Sequence, residues 1–130
     1  MQVLKLAGPV ILIFLPLAVY LKTLPPSILW VDSGTMAAAS YSLGIPNPPG
    51  FPTFMMASHL LKFLPFGTPL FKMELFNVIF GILTLLLVYK IILLLLTYWS
   101  DRSSSYKTYL SALFGSLSLA FSYQFWSQTQ

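Results

Sequence analysis

FKMELFNVIFGILTLLLVYKIILLLL, residues 71–96, is the stretch on which the reading of the whole chain turns. It is longer than the ~20 apolar residues that carry an α-helix across ~30 Å of hydrocarbon, so it predicts a membrane span with room for tilt or an interfacial end. Lys90 lies inside the run. A charge at the bilayer centre costs roughly 2.5–3.5 kcal/mol and is by default a candidate site. Its neighbours favour a plainer role: Tyr89 before it and Tyr98, Trp99 and Arg102 after it mark an interface to which a lysine snorkels.

Composition points the same way. The 130-residue chain is 57% hydrophobic and only 8% charged, with a mean hydropathy of +0.81, whereas an ordinary soluble domain carries roughly 25% charged residues. The absence of cysteine excludes disulfides and a thiolate metal site and leaves the redox compartment undetermined. The net charge of +4 is spread over seven basic residues without a basic cluster, which argues against a nucleic-acid partner.

Outward from residues 71–96, a second apolar run covers residues 6–21. With Lys5 before it, that run resembles a secretory signal, but the chain continues into YLKTLPP without a small-residue cleavage site, so an uncleaved transmembrane helix is expected. A third run, residues 109–125, follows a serine-rich polar segment at 98–107. The expected fold is therefore an all-α membrane protein with three transmembrane helices, at about 6–21, 71–96 and 109–125. Ending as it does at FWSQTQ, residues 1–130 are expected to be the amino-terminal part of one larger multipass transmembrane domain. Lys5, Lys90, Arg102 and Lys107 place the amino terminus and the 98–107 segment in the cytoplasm, leaving a long outer loop, 22–70, on the other side.

That loop contains three locally readable pieces. Asp32 followed by SGTMAAASYSL and Gly44 predicts a short helix over 33–43, with Asp32 as its N-cap and Gly44 as its left-handed terminator. IPNPPGFP, residues 45–52, predicts a rigid turn, since its prolines lack amide donors and restrain their predecessors. Pro52 then suits the first position of a second helix over 53–64, stopped by Pro65 and Gly67. Ser58, His59 and Lys62 share one side of it, and Phe54, Met55, Leu61 and Leu64 form a broad apolar surface, so both short helices are expected at the membrane interface. His59 has no second histidine or cysteine near it, so a solvated or headgroup-contacting role is expected in place of zinc ligation, with Lys62 as phosphate partner. No tightly bound metal or other cofactor is expected, because one aspartate makes a poor divalent site.

The order and spacing of WVDSG (30–34), LGIPNPPGFP (43–52), LPFG (64–67) and KMEL (72–75) resemble the amino-terminal region of a multipass membrane family. That family was long catalogued as a domain of unknown function and is related to protein O-mannosyltransferases. Its typical pattern reads DSGE, HPPGYP, LPFG and RVNL, and the resemblance covers roughly residues 28–90. It implies a glycosyltransferase C-type fold of which this chain is a fragment. It also implies a sugar donor, mannose by analogy, on polyprenyl or dolichyl phosphate, and a protein or glycan acceptor. The site would face the periplasm of a bacterial inner membrane or the lumen of an endoplasmic reticulum-type membrane.

Asp32 matches the family's motif carboxylate, which looks like the general base or the acceptor-orienting group. The motif's second acid is Thr35 here, its histidine is Asn47, and its Arg and Asn are Lys72 and Glu74. Glu74 is a candidate replacement carboxylate, and Ser33, Asn47, His59, Lys62 and Lys72 complete the expected substrate-binding set. Two other readings stay open: a non-catalytic relative serving as a structural or assembly subunit, in which Asp32 only caps a helix, and a lipid transporter, which would need paired charges inside the spans.

Overall fold

The computed structural model describes residues 2–24, 31–48, 50–99 and 106–129. Those residues form α1 (Gln2–Thr23), α2 (Val31–Ser42), α3 (Pro52–His59) with a 3₁₀ turn (Leu60–Phe63), α4 (Pro69–Trp99), α5 (Tyr106–Ala120) and α6 (Tyr123–Gln128). They divide into two compact units, Met1–Lys22 with Val78–Thr129 and Thr23–Asn77.

Two helices are long and apolar enough to cross a membrane, Leu6–Thr23 within α1 and the whole of α4. The 31 residues of α4 rise about 46 Å, more than the hydrocarbon requires. The helix begins at Pro69, two residues earlier than expected, because Thr68 caps it. The Thr68 hydroxyl accepts the Phe71 amide at 3.2 Å and the Thr68 carbonyl accepts the Lys72 amide at 3.0 Å, while Pro69 needs no donor in the first turn. At the other end Tyr98 and Trp99 are about 86% exposed, whereas Tyr89 is 3% exposed. The aromatic belt expected around Lys90 therefore comes from Tyr98 and Trp99, and Tyr89 turns inward.

The third apolar run, 109–125, is divided. The 15 residues of α5 rise about 22 Å, and a break at Phe121 and Ser122 precedes α6. Ser122 is extended, with φ −67° and ψ 139°. Its amide and its hydroxyl both donate to the Leu119 carbonyl, at 3.1 and 2.8 Å, which competes with continuation of the helical ladder.

In the unit containing α1, inward-facing residues recur at helical spacing. On α1 they are Leu12, Pro16 and Tyr20; on the later part of α4 they are Val78, Ile82, Leu85 and Tyr89; on α5 they are Ala112, Ser116 and Ala120. The α5 stripe is made of small residues, which lets helix backbones approach closely. Leu12, Tyr89 and Ala112 meet at its centre. Gly8 lies against Tyr89, and a Cβ at Gly8 would collide with the tyrosine hydroxyl. Leu6, Phe14, Leu87, Leu94 and Phe114 point outward and are more than half exposed. A small-residue stripe on α5 and large apolar residues on the outside suit a lipid surround.

In the other unit α2 starts at Val31, so Asp32 falls in its first turn and not in front of it; the N-cap role expected of the Asp32 side chain lies outside the described residues. At its far end the left-handed residue is Leu43, φ 56°, and not Gly44. The Gly44 amide reaches back to the Ala39 carbonyl at 2.9 Å, closing a Schellman motif one residue earlier than the glycine suggested. The rigid turn expected at 45–52 is present: the Gly50 amide donates to the Asn47 carbonyl at 3.0 Å, and Gly50 and Phe51 both have positive φ, 88° and 42°.

Pro52 takes the first turn of α3 as expected. The regular helix stops at His59, however, and tightens into the 3₁₀ turn, because Pro65 holds Leu64 extended at φ −65° and ψ 134°. The apolar surface also differs from expectation. Met55 is buried, and the residues left open are Met56, Leu60 and Phe63.

One bond anchors α1 to α5: the buried Tyr20 hydroxyl donates to the Ala120 carbonyl at 2.7 Å. Tyr20→Phe should lower the stability of the solubilised full-length protein by about 1–2 kcal/mol, read as a lower melting temperature. An unchanged melting temperature would mean that the bond contributes nothing.

Candidate functional site

The residues expected to bind substrate in the long loop divide into two groups. The first sits where α2 crosses α3. Alanines and serines on α2 allow the two helices to meet closely, and Ala37, Ala39 and Ser40 are all buried. There the Ser40 and Ser58 hydroxyl oxygens are 2.6 Å apart. Ser58 also lies 2.8 Å from the Phe54 carbonyl of its own helix. A carbonyl can only accept, so Ser58 donates along α3 and Ser40 donates to Ser58.

His59 Nδ1 lies 2.7 Å from the Ser40 carbonyl. For the same reason Nδ1 carries the hydrogen and Nε2 is the remaining ring nitrogen. The ring stands edge-on to Phe63, with 6.3 Å between centroids. His59 is half-buried and tied to α2. This differs from the solvated histidine expected, because the close α2–α3 crossing brings a backbone carbonyl within its reach.

The two lysines behave differently. Lys72 Nζ donates to the Lys62 and Leu64 carbonyls at 3.0 and 2.8 Å, covering the end of the 3₁₀ turn. Two of its three hydrogens are thereby engaged. Lys62 is exposed and holds its ammonium 4.7 Å from the centre of the Tyr41 ring, a cation–π contact. The cleft enclosed by Ser40, Tyr41, Ser58, His59, Lys62 and Lys72 has a volume of about 10 Å³, room for no more than a single water. It is a clamp with one cation on its outer side.

The second group borders an open depression of about 450 Å³, walled by Thr35, Ala38 and Ser42 on α2 and by Gly44, Pro46 and Asn47 of the turn. This volume is in the range of small-molecule sites. Thr35 and Asn47 are exposed there, and Asn47 offers an amide held by the turn that its own carbonyl closes. Ser33 is half-buried and is engaged in an interaction of its own. Glu74 is 3% exposed, on the first turns of α4 next to buried Met73.

His59, Lys62 and Lys72 are thus brought together, and Asn47 joins Thr35 in a separate hollow. The side chain of Asp32 lies outside the described residues. Among the described residues no group of three or more His, Cys, Asp or Glu could hold a metal. Ser40 and Tyr41 were not singled out by sequence reasoning. The i, i+1, i+4 spacing of Ser58, His59 and Lys62 marked one wall of the clamp, but nothing local to α2 marked the other.

Residues 32–130 match a family model described as the protein O-mannosyl-transferase TMEM260 N-terminal domain. The protein O-mannosyl-transferase TMEM260 of Mus musculus is 38% identical over 65 residues, which are 49% of this chain and 9% of the mouse protein. No solved structure matches the chain.

The serine pair gives a test of the α2–α3 clamp. Ser40→Ala and Ser58→Ala should each destabilise the solubilised full-length protein, and the double variant should cost less than the two together by about 0.5–1.5 kcal/mol. Strict additivity in that cycle would show that the hydroxyls do not interact.

Proposed function

The chain belongs to the family defined by the protein O-mannosyl-transferase TMEM260 N-terminal domain, and from that membership we propose that it is the amino-terminal part of a membrane glycosyltransferase with a C-type fold. The enzyme moves a sugar, mannose in this reading, from polyprenyl or dolichyl phosphate to a hydroxyl of a protein or glycan acceptor on the non-cytoplasmic side. The observation that carries the reading is the family match over 32–130, which begins at the carboxylate of the WVDSG motif. In this reading the division between α5 and α6 falls within the third membrane-embedded segment, and the loop 22–70 faces the periplasm or lumen.

The chemistry follows from the residue types. The acceptor hydroxyl oxygen bonds to the anomeric carbon with inversion as the bond from that carbon to the phosphate oxygen breaks. The electron pair leaves with the lipid phosphate. In this reading the hydroxyl proton passes to the Asp32 carboxylate, a residue type suited to act as general base. Position 32 lies one helical turn before Thr35 on α2, so the depression bordered by Thr35, Ser42 and Asn47 is the natural place for the acceptor or the sugar. Asn47 orients a hydroxyl without titrating.

The departing phosphate needs positive charge. Lys62 fits that role better than Lys72, whose ammonium already holds two carbonyls. His59 in this scheme positions α3 through the Ser40 carbonyl and keeps Nε2 for the substrate side. Ser33, next to Asp32 in the sequence, completes the substrate-binding set of this scheme. Glu74 is the second carboxylate available near the motif region, and its burial suits a group kept from bulk water. No metal is required by this scheme.

Transfer of labelled mannose from polyprenyl phosphate by membranes containing the full-length protein tests the reading. Asp32→Asn keeps the size and hydrogen bonding of the side chain and removes the base, so transfer should fall by about 10²- to 10⁴-fold. Equal transfer by wild type and variant would leave Asp32 a structural residue. No transfer by either, with an authentic donor, would favour the non-catalytic assembly subunit. Lys62→Gln should weaken donor use while leaving folding intact; an unchanged donor KM would remove Lys62 from the phosphate site.

A further inference from the structure

In the unit containing α1, a crevice of about 710 Å³ opens between α1, α4 and α5. Its walls are mostly apolar, with Pro9 from α1 and Leu83, Leu86 and Leu87 from α4, yet Tyr89, Lys90 and, from α5, Tyr109 also line it. Two features of this crevice are chemically incomplete. Lys90 is exposed and, among the described residues, has no ion-pair partner. Tyr89 is 3% exposed, and its hydroxyl is a buried polar atom with no hydrogen-bond partner among the described residues.

An unpaired buried hydroxyl carries a desolvation penalty, and a cation among leucines at membrane depth carries a larger one. A single kind of ligand relieves both: an anion attached to an apolar chain. Leu83, Leu87 and Lys90 lie at i, i+4 and i+7 on α4, so the apolar wall and the cation share one helix face. The three acidic residues of the chain are Asp32, Glu74 and Asp101. Among the described residues that line the crevice none is acidic.

We infer that this crevice binds an anionic phospholipid of the surrounding bilayer. Its headgroup phosphate pairs with the Lys90 ammonium and accepts the Tyr89 hydroxyl hydrogen, and one acyl chain lies along Pro9, Leu83 and Leu87. Basic pockets between transmembrane helices are a known form of headgroup site. The site is separate in residues and in chemistry from the sugar-transfer depression, and it does not depend on the transfer reaction.

Native mass spectrometry of the solubilised full-length protein, after exchange into phosphatidylglycerol or phosphatidylcholine, tests it. Phosphatidylglycerol should be retained about tenfold more strongly, because its phosphate charge is not offset by a choline ammonium as it is in phosphatidylcholine. Lys90→Gln should abolish the preference and Lys90→Arg should keep it, which separates loss of charge from loss of fold. Tyr89→Phe should weaken retention of phosphatidylglycerol and, by removing an orphaned hydroxyl, raise the melting temperature of the lipid-stripped protein.

Equal retention of both lipids, or a Lys90→Gln variant that retains phosphatidylglycerol as wild type does, would overturn the inference. So would retention of neither lipid, the result expected if another helix of the full chain fills the crevice. Displacement of phosphatidylglycerol by a single molar equivalent of polyprenyl phosphate would also overturn it, by reassigning the crevice to the donor lipid.

Discussion

Hydrocarbon offers a peptide group nothing to bond with, so every amide and carbonyl of a spanning helix must be satisfied within the protein. That constraint shapes both span-length helices. In α1, Pro9 and Pro16 each remove a donor and free the carbonyl four residues back, at Lys5 and Leu12. Leu12 and Pro16 are fully buried, so the second of these interruptions lies against protein and not lipid. In the later helices the hydroxyls of Thr84, Thr97 and Ser116 turn back onto the carbonyls of Phe80, Leu93 and Ala112, at 2.8–2.9 Å. Polar side chains handled in this way make no demand on a neighbour, and the small faces remain free to pack. Tyr20 meets the constraint by bonding Ala120; Tyr89 does not meet it, which is why its hydroxyl stands out.

In the segment between the two spans the same accounting has a functional side. Residue types that suggest substrate binding are partly committed to holding the segment together. His59 fixes α3 against α2 through a carbonyl, and Lys72 closes the end of the 3₁₀ turn. Lys62, stacked on Tyr41, remains the exposed cation. A group so engaged is still available to position others, and rigid support is what a transfer site needs, since small displacements of reacting groups cost large factors in rate. The positive φ of Leu43 and Phe51, on either side of the proline turn, adds to that reading. Non-glycine residues held in the left-handed region cost of order 1–3 kcal/mol and tend to occur near functional sites.

Much of this was readable from local signals. Hydropathy located both spans to within two to four residues, and Pro52 marked the start of α3. The errors have specific causes. Thr68 lengthened α4 because a cap two residues outside the apolar run is invisible to hydropathy. Gly44 drew the left-handed position one residue too far, although the Schellman bond forms around Leu43. The side of α3 facing outward was misassigned because Met55 and Met56 are equivalent by composition and differ only in which of them the fold buries. The run 109–125 was uniform enough to suggest one helix, but the Ser122 hydroxyl divides it.

By itself, then, the sequence determined that this is an all-helical membrane chain with a rigid proline turn, and its ordered motifs marked the protein O-mannosyl-transferase kinship. Those properties depend on composition, on periodicity and on residues close together along the chain. Only the tertiary structure decided which polar groups are spent and which remain open. Ser40 meets Ser58 eighteen residues away, Tyr20 meets Ala120 a hundred residues away, and the buried Tyr89 hydroxyl finds no hydrogen-bond partner among the described residues. A hydrogen bond is set by ångström-scale distance and direction, and no local pattern encodes either for residues that only folding brings together.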